Sequence, residues 1–198
     1  MLKENNITSA YVMILSGVFL LFVSVLFFIY WWSNKSPIVE YVYTYSDVQE
    51  INYIEEGEWR LKIDKIDVES PIILNVDGND EREYLSSLQR GVAHLRGTKI
   101  PGQVGNIFIF GHSSYLFYDP GDYKTIFKRL DNLDEGDEIN IISNLKTYNY
   151  KVIDKKIVNP DDVEVVGDVL PGKETLSLMT CTPAGTTFRR LILLAERY

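Results

Sequence analysis

One cysteine, two histidines and a pair of arginines near the C-terminus are the residues of this chain that could together transfer an acyl group. Cys181 lies in Thr175-Leu-Ser-Leu-Met-Thr-Cys-Thr-Pro-Ala-Gly-Thr-Thr-Phe-Arg-Arg-Leu-Ile-Leu-Leu-Ala195. A thiol is a weak nucleophile and a thiolate a strong one, so such a residue needs a base or a cation beside it at neutral pH. Only His94 and His112 offer an imidazole, whose ordinary pKa of about 6.5 suits it to take and return a proton. Arg189 and Arg190 each carry a permanent charge on a planar fork that can donate to a carbonyl oxygen or an oxyanion. Each residue alone also has a plainer reading, the cysteine as a small buried hydrophobe and a histidine as a satisfied core group.

The elements around these residues decide whether they can meet. Two apolar runs flank Cys181 with the length and composition of buried strands, and Thr-Pro-Ala-Gly-Thr-Thr between them reads as a loop, so the thiol sits at a strand end. The run Gly105-Asn-Ile-Phe-Ile-Phe-Gly111 is a short core strand that stops at His112-Ser113-Ser114, which puts a histidine at its mouth. His94 lies in Gly91-Val-Ala-His-Leu-Arg-Gly97, a connection with apolar residues on both sides. Upstream, period-two alternation predicts a strand over 59–68 with a turn at Asp64-Lys65, and a second over 70–76. Asp80 can cap a helix over 81–90 with Tyr84, Leu85 and Leu88 on one face. A second short helix is expected over 123–130, a hairpin from strands 138–142 and 148–153, and a strand with a turn over 157–166. Many short strands with two short helices make a mainly β domain, a barrel or a sandwich.

Composition narrows the function. The chain has 198 residues, 45% of them hydrophobic and 24% charged, which suits one globular domain with an appendage. A formal charge of −8 argues against a nucleic-acid binder, which needs a basic face to displace counterions. A single cysteine excludes internal disulfides and thiolate-rich metal sites. No phosphate-binding loop, dinucleotide fingerprint or His-Glu-x-x-His motif occurs, so no nucleotide or zinc is indicated.

The N-terminal region reads as an anchor. Residues 10–32 contain no charge and are dense in leucine and phenylalanine, long enough to span a bilayer as one helix, with Tyr30, Trp31 and Trp32 at its far end. A cleavable leader would have a shorter apolar core and small residues after it. The expected organisation is therefore a cytoplasmic N-terminus over 1–9, a transmembrane helix over 10–32, a tether over 33–57 and a folded domain over 58–198.

Leu178-Met-Thr-Cys181, the Gly111-His112 after its strand, and Arg190 opening a terminal aliphatic strand resemble the signature of sortases, the membrane-anchored cysteine transpeptidases of bacterial surfaces. Leu61-Lys-Ile-Asp-Lys-Ile-Asp-Val68, Gly97-Thr-Lys-Ile-Pro-Gly102, Gly136-Asp137 and Val158-Asn-Pro160 resemble further family segments in the family's order. The resemblance implies a sortase-like eight-stranded β-barrel with short helices, preceded by one transmembrane helix. It implies Cys181 as the nucleophile that forms a thioester, His112 as general acid and base, and Arg190 as the cation beside the substrate carbonyl. Arg190 is preferred over Arg189 because it directly precedes Leu-Ile-Leu-Leu, as the family arginine precedes its strand. Thr180, Thr182, Ser113 and His94 are supporting or structural candidates.

The implied partners are surface proteins bearing a sorting signal and an amine acceptor such as a cell-wall precursor or a pilin lysine. Wall anchoring is favoured, because no second span and no lid motif is seen. The domain is then expected outside the cell, single-pass, with the N-terminus inside. No cofactor is implied. Some sortases bind calcium near acidic loops, but Asp131, Asp134, Glu135, Asp137 and Glu138 lack the ordered ligand alternation of a calcium loop and read as a solvated turn. The alternatives are another cysteine acyltransferase or hydrolase, or a membrane-tethered β-domain with an inert cysteine serving as adhesin or scaffold.

Overall fold

The computed structural model describes residues 17–30, 58–114, 121–143 and 146–198. The chain divides into two units, Met1–Ser36 and Pro37–Tyr198. In the first, residues 17–30 form a helix, α1, with Phe19, Leu20, Leu21 and Phe22 exposed. Among the described residues no helix is long and apolar enough to cross a membrane. The described part of α1 is shorter than the roughly 20 residues that a crossing needs. The anchor expected over 10–32 runs at both ends into residues outside the described ones, where segments 1–9 and 33–57 also lie.

In the second unit, alternating apolar residues become eight strands: β1 Arg60–Ile63, β2 Val68–Val76, β3 Val92–Leu95, β4 Gly105–Phe110, β5 Glu138–Ser143, β6 Lys146–Val158, β7 Glu174–Thr182 and β8 Arg189–Arg197. They close into a barrel in the order β1-β2-β3-β4-β7-β8-β6-β5. Two neighbour pairs, β2–β3 and β4–β7, are parallel, and the rest are antiparallel. A parallel pair needs a long crossover, and β2–β3 obtains it from helix α2, Glu81–Leu88. Asp80 caps that helix by accepting from the N–H groups of Arg82 and Glu83 at 3.0 and 3.2 Å.

Strand alternation sorts the apolar residues into two cores. Ile107 and Ile109 of β4, Leu176 and Leu178 of β7, and Leu191 and Leu193 of β8 fill the barrel lumen with Leu61, Ile63, Ile139 and Tyr150. Phe108, Phe110 and Ile192, one residue out of phase, point outward and pack with Leu88, Leu95 and Val165. This outer core lies between the sheet, α2 and the β6–β7 connection, and the cleft opens there.

Three expectations are corrected. Residues 123–130 form turns that end in a 3₁₀ segment, Leu130–Asn132, instead of an α-helix. Their N–H groups bond three residues back, and Phe127 donates to the carbonyl of His112 instead. Of the strand with a turn expected over 157–166, the turn forms but the strand is confined to its first two residues. Ile157 and Val158 end the long β6, and Val163–Val166 is a 3₁₀ turn. The connection containing His94 is a strand, β3, whose four residues are all buried and so lack the alternation that marks a half-exposed strand.

Candidate active site

Strand register aligns the reactive residues. In the antiparallel pair β7–β8, Cys181 lies directly opposite Arg190, and Thr182 opposite Arg189. In the parallel pair β4–β7, Phe110 lies beside Met179. His112 follows two residues later, just past the end of β4, where the Gly111 N–H still donates to the Met179 carbonyl two residues before Cys181. Cys181 and Arg190 thus sit side by side on β7 and β8, and His112 leaves the end of β4, the neighbouring strand on the other side of β7. Cys181 and Arg190 share the outward parity of Met179 and Ile192, and with His112 they line one cleft of about 310 Å³.

The site is held by the backbone on either side of the thiol. Gly111 donates its N–H to the Met179 carbonyl at 3.1 Å and accepts at its own carbonyl from the Thr180 hydroxyl at 2.8 Å. Phe127 N–H donates to the His112 carbonyl at 2.9 Å, so the chain entering and leaving the histidine is fixed. Any side chain at Gly111 would meet the Phe127 ring, because a Cβ there lies 2.7 Å from Cδ2. Arg190 donates from Nη1 to the carbonyls of Thr187 and Arg189 at 2.9 and 3.3 Å, and no carboxylate among the described residues pairs with it. Its charge is thereby oriented but not neutralised.

The cleft has two walls. Tyr84, Leu85 and Leu88 of α2 form one; Val163, Val165 and Val166 of the 3₁₀ turn form the other. The Tyr84 phenol is pushed up by burial first and by the charge of Glu81, with smaller opposing effects from Arg190 and Cys181. Its hydroxyl is therefore within electrostatic reach of both. The α2 wall is tied to the sheet by Arg96, which donates to Asp77 at 3.0 Å, to Glu83 at 3.0 Å and to the Asn75 carbonyl at 3.0 Å.

Among the sequence candidates, Cys181, His112, Arg190 and Thr180 line the cleft, whereas Thr182, Ser113 and His94 do not. Arg189 has the parity of lumen-facing Leu191, is exposed and lies outside the cleft lining. Ser113 is buried with an Oγ that has no partner among the described residues. His94 is a structural clamp: Nδ1 accepts from the Asn75 N–H at 3.3 Å, and Nε2 lies 3.0 Å from both the Lys99 carbonyl and the Thr98 hydroxyl. Accepting at Nδ1 fixes the neutral tautomer with its proton on Nε2. Burial pushes its pKa down to about 4.

Sequence reading missed both walls as parts of a site. The stripe Tyr84, Leu85, Leu88 was visible as a helix face but looked like ordinary core. The valines carried the opposite signal, since Val-Glu-Val-Val imitates a strand.

The acidic run is occupied by lysines. Lys65 Nζ lies 2.6 Å from Asp137 and 3.5 Å from Asp134, and Lys155 Nζ donates to the carbonyls of Asp131 and Leu133 at 2.8 Å each. Among the described residues no group of three or more His, Cys, Asp or Glu side chains is placed to hold a metal ion.

Residues 61–198 match the family model described as the Sortase domain. Over 140 residues the chain is 29% identical to Sortase D of Bacillus subtilis, covering 69% of this chain and 62% of the relative. Over 136 residues it is 29% identical to Sortase A of Streptococcus agalactiae, covering 69% of this chain and 51% of the relative. The chain thus spans between half and two thirds of the length of these curated relatives. The crystal structure of sortase C-1 from Actinomyces oris is similar at a TM-score of 0.63 and 29% identity, covering 82% of this chain and 89% of that one.

Proposed function

The chain belongs to the sortase family, and on that premise we propose that its cleft carries out cysteine transpeptidation on a sorting-signal peptide. The observation that carries the reading is Cys181 paired across the strands with Arg190 and sharing one cleft with His112. The Cys181 thiol passes its proton to His112 as the sulfur attacks the scissile carbonyl, and the C–N bond breaks as His112 hands that proton to the departing amine. The acyl group is left as a thioester. An incoming amine attacks that thioester, the C–S bond breaks, and His112 takes up the proton that the new amide sheds. Arg190, on the far side of the thiol from His112, donates to the oxyanion that forms in both steps. One difficult amide exchange becomes two acyl transfers through the same three groups.

The acceptor we propose is the amine of a cell-wall precursor, ahead of a pilin lysine. The domain then works outside the cell, held by an N-terminal helix over 10–32 whose leading end lies inside. An inert scaffold is the weaker reading, because a packed cysteine has no need of an open cleft that it shares with a histidine and with an arginine that no carboxylate among the described residues pairs.

Peptide transpeptidation tests this reading. The wild-type protein is expected to cleave members of a sorting-peptide panel and to release product faster when an amine is added. Equal processing by wild type and Cys181→Ala would sink it. Faster turnover with a lysine side-chain amine than with a wall-type amine would reverse the acceptor assignment.

A further inference from the structure

The valine wall of the cleft is not held by its own turn. Val163–Val166 is a single 3₁₀ turn with no side-chain cap at Asp162, and such short turns leave terminal carbonyls unsatisfied. Asn106, at the start of β4 and 2% exposed, supplies what is missing. Its Nδ2 donates to the carbonyls of Val165 and Val166 at 3.3 and 3.1 Å. Its Oδ1 accepts from the hydroxyls of Thr175 and Ser177 on β7 at 3.1 and 3.0 Å. Two donors and two acceptor sites are the full capacity of the amide, and all four are used.

The backbone beside it completes the socket. The Asn106 N–H donates to Asp168 Oδ1 at 3.0 Å, two residues beyond the valine turn. Gly105 makes room for that carboxylate: a Cβ on it would lie 2.7 Å from Asp168 Oδ1, and its φ of 120° excludes most other residues. Strand β4 therefore holds the valine wall at its first two residues and leads into His112 at its other end. Asn106 itself is not among the residues that line the cleft.

We propose that Asn106 and Asp168 are positioning residues for the acyl donor, holding the wall Val163–Val166 against β4 and β7 so that the apolar side of the cleft is built before the peptide arrives. They set how well the peptide binds and leave the reacting groups untouched. This rests on the transpeptidase reading above.

The test uses the full chain with two acyl donors: a pool of sorting-signal pentapeptides, and the S-phenyl ester of thioacetic acid, which is too short to reach the valines. Asp168 is exposed, so Asp168→Ala is expected to fold. It should raise the peptide KM by about 3- to 10-fold, as for one lost hydrogen bond, with kcat and the small thioester unchanged. Asp168→Asn keeps an acceptor oxygen and should restore the wild-type KM. Asn106→Ala should show a larger KM effect, and amide exchange over 163–167 should quicken in both alanine variants.

Several outcomes would overturn the inference: a fall in kcat at constant KM, an equal loss with the small thioester, Asp168→Asn as impaired as Asp168→Ala, or unchanged exchange over 163–167. Acylation of wild type by the thioester but by no pooled peptide also contradicts a peptide-binding wall. If neither donor acylates wild type, the transpeptidase reading fails and takes this inference with it. If both do and the alanine variants leave KM unmoved, only the inference fails.

Discussion

The two ends of β7 each face an arginine of β8, and the two arginines are used in opposite ways. At the first residue, Glu174 accepts from Arg197 at 3.1 and 3.2 Å, from the Tyr150 hydroxyl at 2.6 Å and from the Gly102 N–H at 2.9 Å. Every one of these groups is committed to closing the barrel, and both burial and the bond to Glu174 push the Tyr150 phenol far up. At the other end the hydrogen bonds of Arg190 among the described residues go to backbone carbonyls, beside a thiol and at the edge of a cleft. A guanidinium paired with a partly buried carboxylate has its charge answered within the fold, whereas one held by neutral carbonyls can still respond to charge that develops in a reaction. The same strand thus stabilises the fold at one end and offers chemistry at the other.

Substitutions at the two ends should separate along this line. Cys181→Ala is expected to abolish peptide acylation while the melting temperature stays close to that of wild type, as read by intact-mass and thermal scans. Arg190→Ala should lower kcat/KM by about 10²–10³-fold, the cost of losing one oxyanion donor, with little change in stability. Glu174→Ala should do the reverse, costing about 2–4 kcal/mol of stability because Arg197 and the Tyr150 hydroxyl lose their acceptor, while turnover of the folded protein is kept. A large stability loss in Arg190→Ala, or a large catalytic loss in Glu174→Ala, would erase the distinction between the ends.

The two histidines give a smaller, pH-dependent contrast. His94 is neutral in the fold with its pKa pushed down to about 4, whereas an unfolded histidine titrates at about 6.5. Between those values the unfolded chain binds the extra proton, so stability is full above about pH 6.5 and falls as the pH drops toward 4. The loss attributable to this residue is at most about 3 kcal/mol. Denaturant melts at several pH values should show the slope in wild type and a flatter one in His94→Gln. Smallest of all, Arg189→Ala should change activity and stability by no more than about 0.5 kcal/mol, as for an exposed side chain.

Much of this was legible in the sequence because it follows from period-two alternation. The outward parity of Cys181 and Arg190 follows from that of Met179 and Ile192, and Arg189 has the opposite parity. What could not be read was set by distant contacts. The turns at 123–130 looked helical because Ile126, Phe127 and Leu130 have helical spacing, but the Phe127 N–H is taken by His112. Val163–Val166 looked like strand because valine favours strands, yet its carbonyls are claimed by an asparagine more than fifty residues upstream. β3 went unrecognised because a strand buried on both faces has no alternation to show.

Cys181 is the proposed acyl acceptor, in a site completed by His112 and Arg190. The most direct test of that role is to mix wild-type protein with the sorting-peptide pool, quench in acid and map the adduct by mass spectrometry. The account predicts one acyl fragment on Cys181 that an added amine removes, no adduct in Cys181→Ala, and a strongly reduced yield in His112→Ala and Arg190→Ala but not in Arg189→Ala. An adduct on another residue, or an undiminished one in His112→Ala, would contradict it.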